Sequence, residues 1–206
     1  MTISGISDDI TPWTRLMRSA LWNAAETEYG RDPRRAYHNF DHVRRMYRHA
    51  EETFGFAYDL ELDKAILSHD VVIDGLPRQE VRSIAWLSDR AGVSAVAGGL
   101  IMTTIHHRIG SDNRLILLDL ADFLDPEQSR LNTDMLRIEA SELMGWDDVT
   151  FREKTVAYLT GIEANIADDI ASVSDPRQVV WWNGISLGIQ MTIRQLSSHE
   201  PDQITL

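Results

Sequence analysis

The sequence predicts an all-α protein, a single domain built as a helical bundle. Three observations carry that prediction. Apolar residues recur at three- and four-residue spacing through most of the chain, the period of a helix with one buried face. Pro12, Pro77, Pro126 and Pro176 stand where such patterns begin, as proline does in a first helical turn. The one stretch that reads equally well as a buried strand, "AILSHDVVI", has no regular strand partner nearby.

Taken in order, Thr11–Pro12 predicts the first helix start, a capping hydroxyl followed by proline. Trp13, Leu16, Met17, Ala20 and Ala24 follow as its stripe, and Gly30 with "RDP" ends it. A second helix starts near Asn39 and buries Val43, Met46, Tyr47, Ala50 and Phe54. The third is expected over about Asp59 to Ile73, where "DGLP" breaks it. Pro77 opens a fourth with Val81, Ile84, Ala85 and Leu87 inward. Ser94 caps a fifth that reaches Gly110, and "RLILLDLADFL" makes a sixth up to Asp125. Pro126 starts a seventh that ends at Met144–Gly145. Two further helices occupy about residues 147–198, the last started by Asp175–Pro176, and "SSHEPDQITL" is expected to fray. In that last helix Trp181, Trp182, Ile185, Leu187 and Ile189 are too dense an apolar run for a free helix. They are expected either to pack back on the domain or to form a homodimer contact.

Composition narrows the chemistry. With 43% hydrophobic and 25% charged residues the balance is that of a globular protein, and 206 residues suffice for one sizeable core. There is no cysteine, which excludes disulfides, thiolate metal sites and a cysteine nucleophile. Any metal must be held by His, Asp, Glu and water. A net charge of -12 argues against nonspecific nucleic-acid binding. The opening "MTISGISDDITPW" has no basic segment followed by an apolar one, and no apolar run is long enough for a membrane helix. The expectation is a cytoplasmic protein with no membrane association.

Placed on these helices, several polar residues face inward. His42 lies at the edge of the Val43–Met46–Ala50 stripe. His69 shares a face with Ala65 and Val72, and Asp70 is one step around. His107 stacks over Thr103 and Leu100, and Asp122 shares a face with Leu115, Leu118 and Asp119. Singly, each has an ordinary structural role available. Jointly, nitrogen and oxygen donors converging from successive helices suit a divalent metal. His49 reads as a surface residue, and His106 points away from His107 because helical neighbours are about 100° apart.

The motifs "YHNFDHV", "SHDVVID", "QEVRSI", "TIHH", "DLADFL" and "LRIEA" resemble, in this order, those of a bacterial subgroup of the HD-domain superfamily of metal-dependent phosphohydrolases. The resemblance covers about residues 35–140, the expected HD core, and leaves the C-terminal helices of about 147–198 unmatched. It implies an HD-type helical bundle with a divalent metal (Mn, Mg, Fe, Zn, Co or Ni) held by His42, His69, Asp70 and Asp122. Asp122 is preferred to Asp119 because Ala121 supplies the small residue usual before the ligand, leaving Asp119 to orient a ligand histidine. His38, Asp74, Glu80, Ser83, Thr104, His107, Arg137 and Glu139 fall on other motif positions. Ile73, Gln79, Leu120 and Phe123 depart from the pattern, which bears on substrate preference more than on metal.

The implied activity is hydrolysis of a small phosphorylated molecule, with a nucleotide as the first candidate. Asp70 would orient the attacking water, and His38 or His107 would protonate the leaving oxygen. Arg78, Arg108 and Arg137, with Glu80, are the candidates for substrate binding, since a guanidinium pairs well with phosphate. Two other readings fit an HD-type pocket: an oxygenase with two irons, which needs additional histidine ligands, and a nonenzymatic regulator that binds a nucleotide.

Overall fold

Helix starts in this chain are set by short polar side chains that accept hydrogen bonds from otherwise unpaired backbone N–H groups. The computed structural model describes Trp13 and residues 19–198. Among these, nine α-helices follow one another without a strand: α1 Ala20–Tyr29, α2 Phe40–Arg48, α3 Leu60–Ser68, α4 Gln79–Ala91, α5 Ala95–Thr103, α6 Arg114–Asp119, α7 Pro126–Met144, α8 Asp148–Asp169 and α9 Pro176–Ser198. Ser19, Asn39, Asp59, Ser94, Asp125 and Asp147 are the capping side chains of α1, α2, α3, α5, α7 and α8. A π-helical turn, His49–Thr53, prolongs α2, and a 3₁₀ turn, Ala121–Leu124, comes after α6.

Several boundaries differ from the sequence expectation. Thr11, Pro12, Leu16 and Met17 lie outside the described residues, and α1 begins at the Ser19 cap. The third helix stops at Ser68 rather than near Ile73, so His69 and Asp70 occupy the turn beyond its end. The fifth stops at Thr103 rather than at Gly110. On α4 the buried residues are Ser83, Trp86 and Leu87, whereas Val81 and Ala85 face solvent.

The centre is made by α3 and α6. Leu62, Ala65, Ile66 and Leu67 of α3 and Leu115, Ile116 and Leu117 of α6 are fully buried. α3 packs against α1, α2, α4, α5 and α6. A helix buried this completely must be apolar all round, and "LILL" in α6 supplies that. The polar residues closing α3 and α6 are therefore carried into the interior from two directions.

The C-terminal helices close over this arrangement. Trp182, Ile185 and Ile189 of α9 belong to the same core as Val43 and Leu118. Trp181 packs edge-on against Phe54, with ring centroids 4.8 Å apart. The dense apolar run of the last helix thus packs back on the chain, although Leu187 stays exposed. α9 crosses the 3₁₀ turn very closely. A Cβ at Gly188 would sit 1.9 Å from the Phe123 carbonyl oxygen, so only glycine fits there. Replacing it forces the two backbones apart. Gly188→Ala is expected to destabilise the protein by about 3 kcal/mol or more, the upper range of overpacking costs, measured by denaturant unfolding.

One buried carboxyl belongs purely to the fold. Asp63 of α3 is 2% exposed and accepts a hydrogen bond from the Tyr47 hydroxyl of α2. Burial raises its pKa from 3.8 to about 6, against the weaker opposing pull of the Tyr47 bond and Lys64. The folded chain therefore keeps this proton at pH values where the unfolded chain has released it. The stabilisation is complete below the unfolded value and is lost as pH rises through about 6. The shift corresponds to roughly 3 kcal/mol. Asp63→Asn keeps an acceptor for Tyr47 without the charge. Its stability difference from the wild type should shift in favour of the variant by about that amount between acidic and neutral pH, as read by paired unfolding curves.

Candidate metal centre

Four side chains meet where α2, the end of α3 and the end of α6 converge. His42 stands in the first turn of α2, which starts where Asn39 accepts from the N–H groups of Asp41 and His42. His69 and Asp70 form the turn beyond α3, and Asp119 is the last residue of α6. One donor atom from each of His42, His69, Asp70 and Asp119 lies within 4.8 Å of every other, a set that could hold a metal ion. His69 Nε2 is 3.2 Å from Asp70 Oδ2 and 3.8 Å from Asp119 Oδ1. His42 Nε2 is 3.3 Å from Asp119 Oδ1.

These short separations are not hydrogen bonds. His42 and His69 are each 1% exposed, yet Nε2 of both has no hydrogen-bond partner. A buried polar atom without a partner costs roughly 1–3 kcal/mol, so two pointing at one place require an explanation. A cation between them satisfies both. His69 is set up for this: its Nδ1–H donates to the Ile66 carbonyl at 3.0 Å, which leaves the Nε2 lone pair facing the cluster. His42 is less firmly oriented, since its Nδ1 has no partner either.

The electrostatics point the same way. Burial pushes the Asp119 pKa up, but the hydrogen bond from His107 and the nearby imidazoles of His42 and His69 overcome it and hold the carboxyl well below its usual range. Asp70 is likewise held low, with His69 and His38 overcoming burial. His69 moves in the opposite direction: burial lowers it, but the charges of Asp70, 3.2 Å away, and Asp119 raise it to about 9. Burial leaves His42 below its usual value. Two ionised carboxylates thus hold a proton on His69, and the same field favours a divalent cation in its place.

A surrounding layer fixes the donors. Arg35, buried on the Tyr29 ring, donates to the carbonyls of Asp70 and Val71, and Ser83 accepts from the Val72 N–H at 3.2 Å. Together they pin the turn that carries His69 and Asp70. His107 Nε2 donates to Asp119 Oδ2 at 2.9 Å, and its Nδ1 faces the Tyr158 hydroxyl at 3.3 Å. His107 takes a positive φ of 46°, a strained conformation for a non-glycine residue. Glu139 Oε2 accepts from the N–H groups of Tyr37 and His38, while its Oε1 takes the His38 Nδ1 proton at 2.5 Å. His38 Nε2 then faces Asp70 Oδ2 at 3.7 Å. Burial lowers His38, but its bond to Glu139 and the Asp70 charge outweigh this and raise it.

The choice of Asp122 over Asp119 is reversed. α6 ends at Asp119, and the chain tightens into the 3₁₀ turn, so the two residues do not share one straight helix face. Asp122 is fully engaged elsewhere. It accepts from Arg45 Nε at 2.9 Å, His49 Nε2 at 2.9 Å and Asn132 Nδ2 at 2.7 Å. His49, expected at the surface, is only 19% exposed and is aimed at Asp122 from the π turn. The three arginines expected to bind substrate do not line the cavity beside the centre. Arg137 pairs with Asp148 at 3.2 Å and Arg108 with Asp169 at 2.5 Å, both on the surface, and Arg78 is exposed. Glu80 does line it.

That cavity has a volume of about 450 Å³ and reaches the cluster at Asp119, His38 and His107. Arg35, Asn132 and Tyr158 belong to the site but carry no sequence signal of their own. Arg35 lies only two residues before Tyr37, whereas Asn132 and Tyr158 arrive from α7 and α8. No family model, curated protein or solved structure matches the chain.

Calorimetric titration of chelator-treated protein with Mn²⁺ tests the arrangement. Asp119→Asn should lose binding almost entirely. His107→Gln, which only frees the outer oxygen of Asp119, should weaken it roughly 10–100-fold. Asp122→Asn should lower thermal stability with metal affinity retained.

Proposed function

We propose that the chain is a metal-dependent phosphohydrolase of the HD type, acting on a small phosphorylated molecule. The observation that carries this reading is the pair of orphaned imidazole nitrogens, His42 Nε2 and His69 Nε2, facing two ionised carboxylates at the edge of a ligand-sized cavity. The order His42, His69–Asp70 and a later aspartate supports it as a motif resemblance. A divalent cation bound there would neutralise phosphoryl oxygens and lower the pKa of water.

The chain's own residues supply the rest. His42, His69, Asp70 and Asp119 would hold the cation, and Asp70 would orient the attacking water. His107 fixes the orientation of Asp119. His38 is the proton donor to the leaving oxygen: Glu139 holds its Nδ1–H, which directs Nε2 toward Asp70 and the cavity. Positioned general acids of this kind contribute about 10²–10⁴-fold. Both ring nitrogens of His107 are engaged, Nε2 with Asp119 at 2.9 Å and Nδ1 with the Tyr158 hydroxyl at 3.3 Å, so His107 supplies no further metal donor, which speaks against the two-iron oxygenase reading.

A screen of phosphate esters against metal-loaded protein tests the activity. Hydrolysis should vanish on exhaustive chelation and return with added Mn²⁺. His38→Gln should lower kcat by about 100-fold or more with metal affinity unchanged. Turnover that survives chelation would overturn the proposal.

A further inference from the structure

The walls of the cavity indicate what it holds beyond the phosphoryl group. They are built mostly by the C-terminal half of the chain and are mainly apolar. Leu136, Leu143 and Met144 come from α7, Trp146 from the next loop, and Phe151 and Ile162 from α8. The charges are unfavourable to a polyanion. Glu80, Asp119, Asp122 and Glu139 line the cavity, and among the described lining residues Lys154 is the one lysine and there is no arginine. The Lys154 ammonium lies 5.3 Å from the Trp146 ring centroid, at an exposed position. Arg78, Arg108 and Arg137 lie outside. A di- or triphosphate would bring several negative charges to a wall lined by four carboxyl groups, one lysine and no arginine. A single phosphoryl group needs no more than the metal centre.

We infer that the substrate is a phosphate monoester carrying one phosphoryl group on an apolar, preferably aromatic, body that seats against Trp146 and the α7–α8 wall. The inference rests on the proposed phosphohydrolase activity for its head group and on the cavity wall for its body. About 450 Å³ falls within the range of roughly 300–1,000 Å³ that encloses drug-sized ligands. Apolar surface buried there adds affinity in proportion to its area, whereas a polyol or a polyphosphate tail would lose its hydration without replacement.

The test uses Mn²⁺-loaded protein with three esters, 1-naphthyl phosphate, glycerol phosphate and ATP, and two inert analogues, 1-naphthylphosphonate and methylphosphonate, the analogues followed by calorimetry. The expected result is a kcat/KM for 1-naphthyl phosphate at least tenfold above both other esters, and tighter binding of the naphthyl than of the methyl phosphonate. Trp146→Ala should raise KM for 1-naphthyl phosphate about tenfold while leaving glycerol phosphate unchanged. Leu143→Gln should act in the same sense, and melting curves of both variants show that they are folded. Equal or better turnover of glycerol phosphate or ATP overturns the inference and leaves the hydrolase reading standing. Selective binding of the naphthyl phosphonate with no ester hydrolysed overturns the hydrolase reading and supports the inference about the occupant. Equal binding of the two phosphonates overturns the inference whatever the activity.

Discussion

Two carboxylates and two imidazoles buried together are the constraint around which this protein is arranged. Removing Asp70 and Asp119 from bulk water is unfavourable unless opposite charge and hydrogen-bond donors come with them. The chain supplies these from many directions: His107 to Asp119, His38 toward Asp70, and Arg35 to the backbone that carries Asp70. The groups it leaves without a partner are equally informative. The two unsatisfied Nε2 atoms face the carboxylates and not the apolar core. Unpaired buried nitrogens cost stability, and a cation bound among them would add to the folding free energy.

The helical architecture supports this through its ends and not its middles. Asn39 starts α2 one turn before His42, Ser68 closes α3 just before His69, and α6 terminates on Asp119 itself. Short helices bring these ends together in the interior, and α9 locks the turn after Asp119 through the close approach at Gly188. The α1–α6 region assembles the donors, and α7 and α8 form about half of the chamber in front of them. The metal-type donors and much of the chamber wall therefore come from different stretches of the chain.

Much of this is legible in the sequence because caps and apolar periods are local. Ser94, Pro126 and Gly145 mark helix boundaries where the structure has them. His42, His69 and Asp70 are brought together as their motifs suggest. Asp119 is placed behind Asp122 because the motif resemblance favours the aspartate that follows the small residue Ala121, and the switch to 3₁₀ geometry after Asp119, which separates the two, leaves no mark in "LDLADF". The arginines are misplaced for another reason. Chemical suitability for phosphate says nothing about position, and Arg108 and Arg137 find acidic neighbours on the surface. Residues that reach the site from α7 and α8, such as Asn132 and Tyr158, depend on tertiary packing that no local pattern encodes.

The π turn after α2 constrains chain length and not residue type. Its bond from the Phe54 N–H to the His49 carbonyl encloses one residue more than an α-helical turn does. Deleting any one residue of His49–Thr53 would let α2 continue as a regular helix, rotating Phe54 and the residues beyond it by about 100° relative to His42. That rotation would carry Phe54 out of its packing against Trp181. Substitution at exposed Glu52 should be tolerated, whereas insertion or deletion in this segment should not. Among sequences that share this fold and site, the spacing from His42 to Phe54 should therefore stay fixed while the residues between them drift.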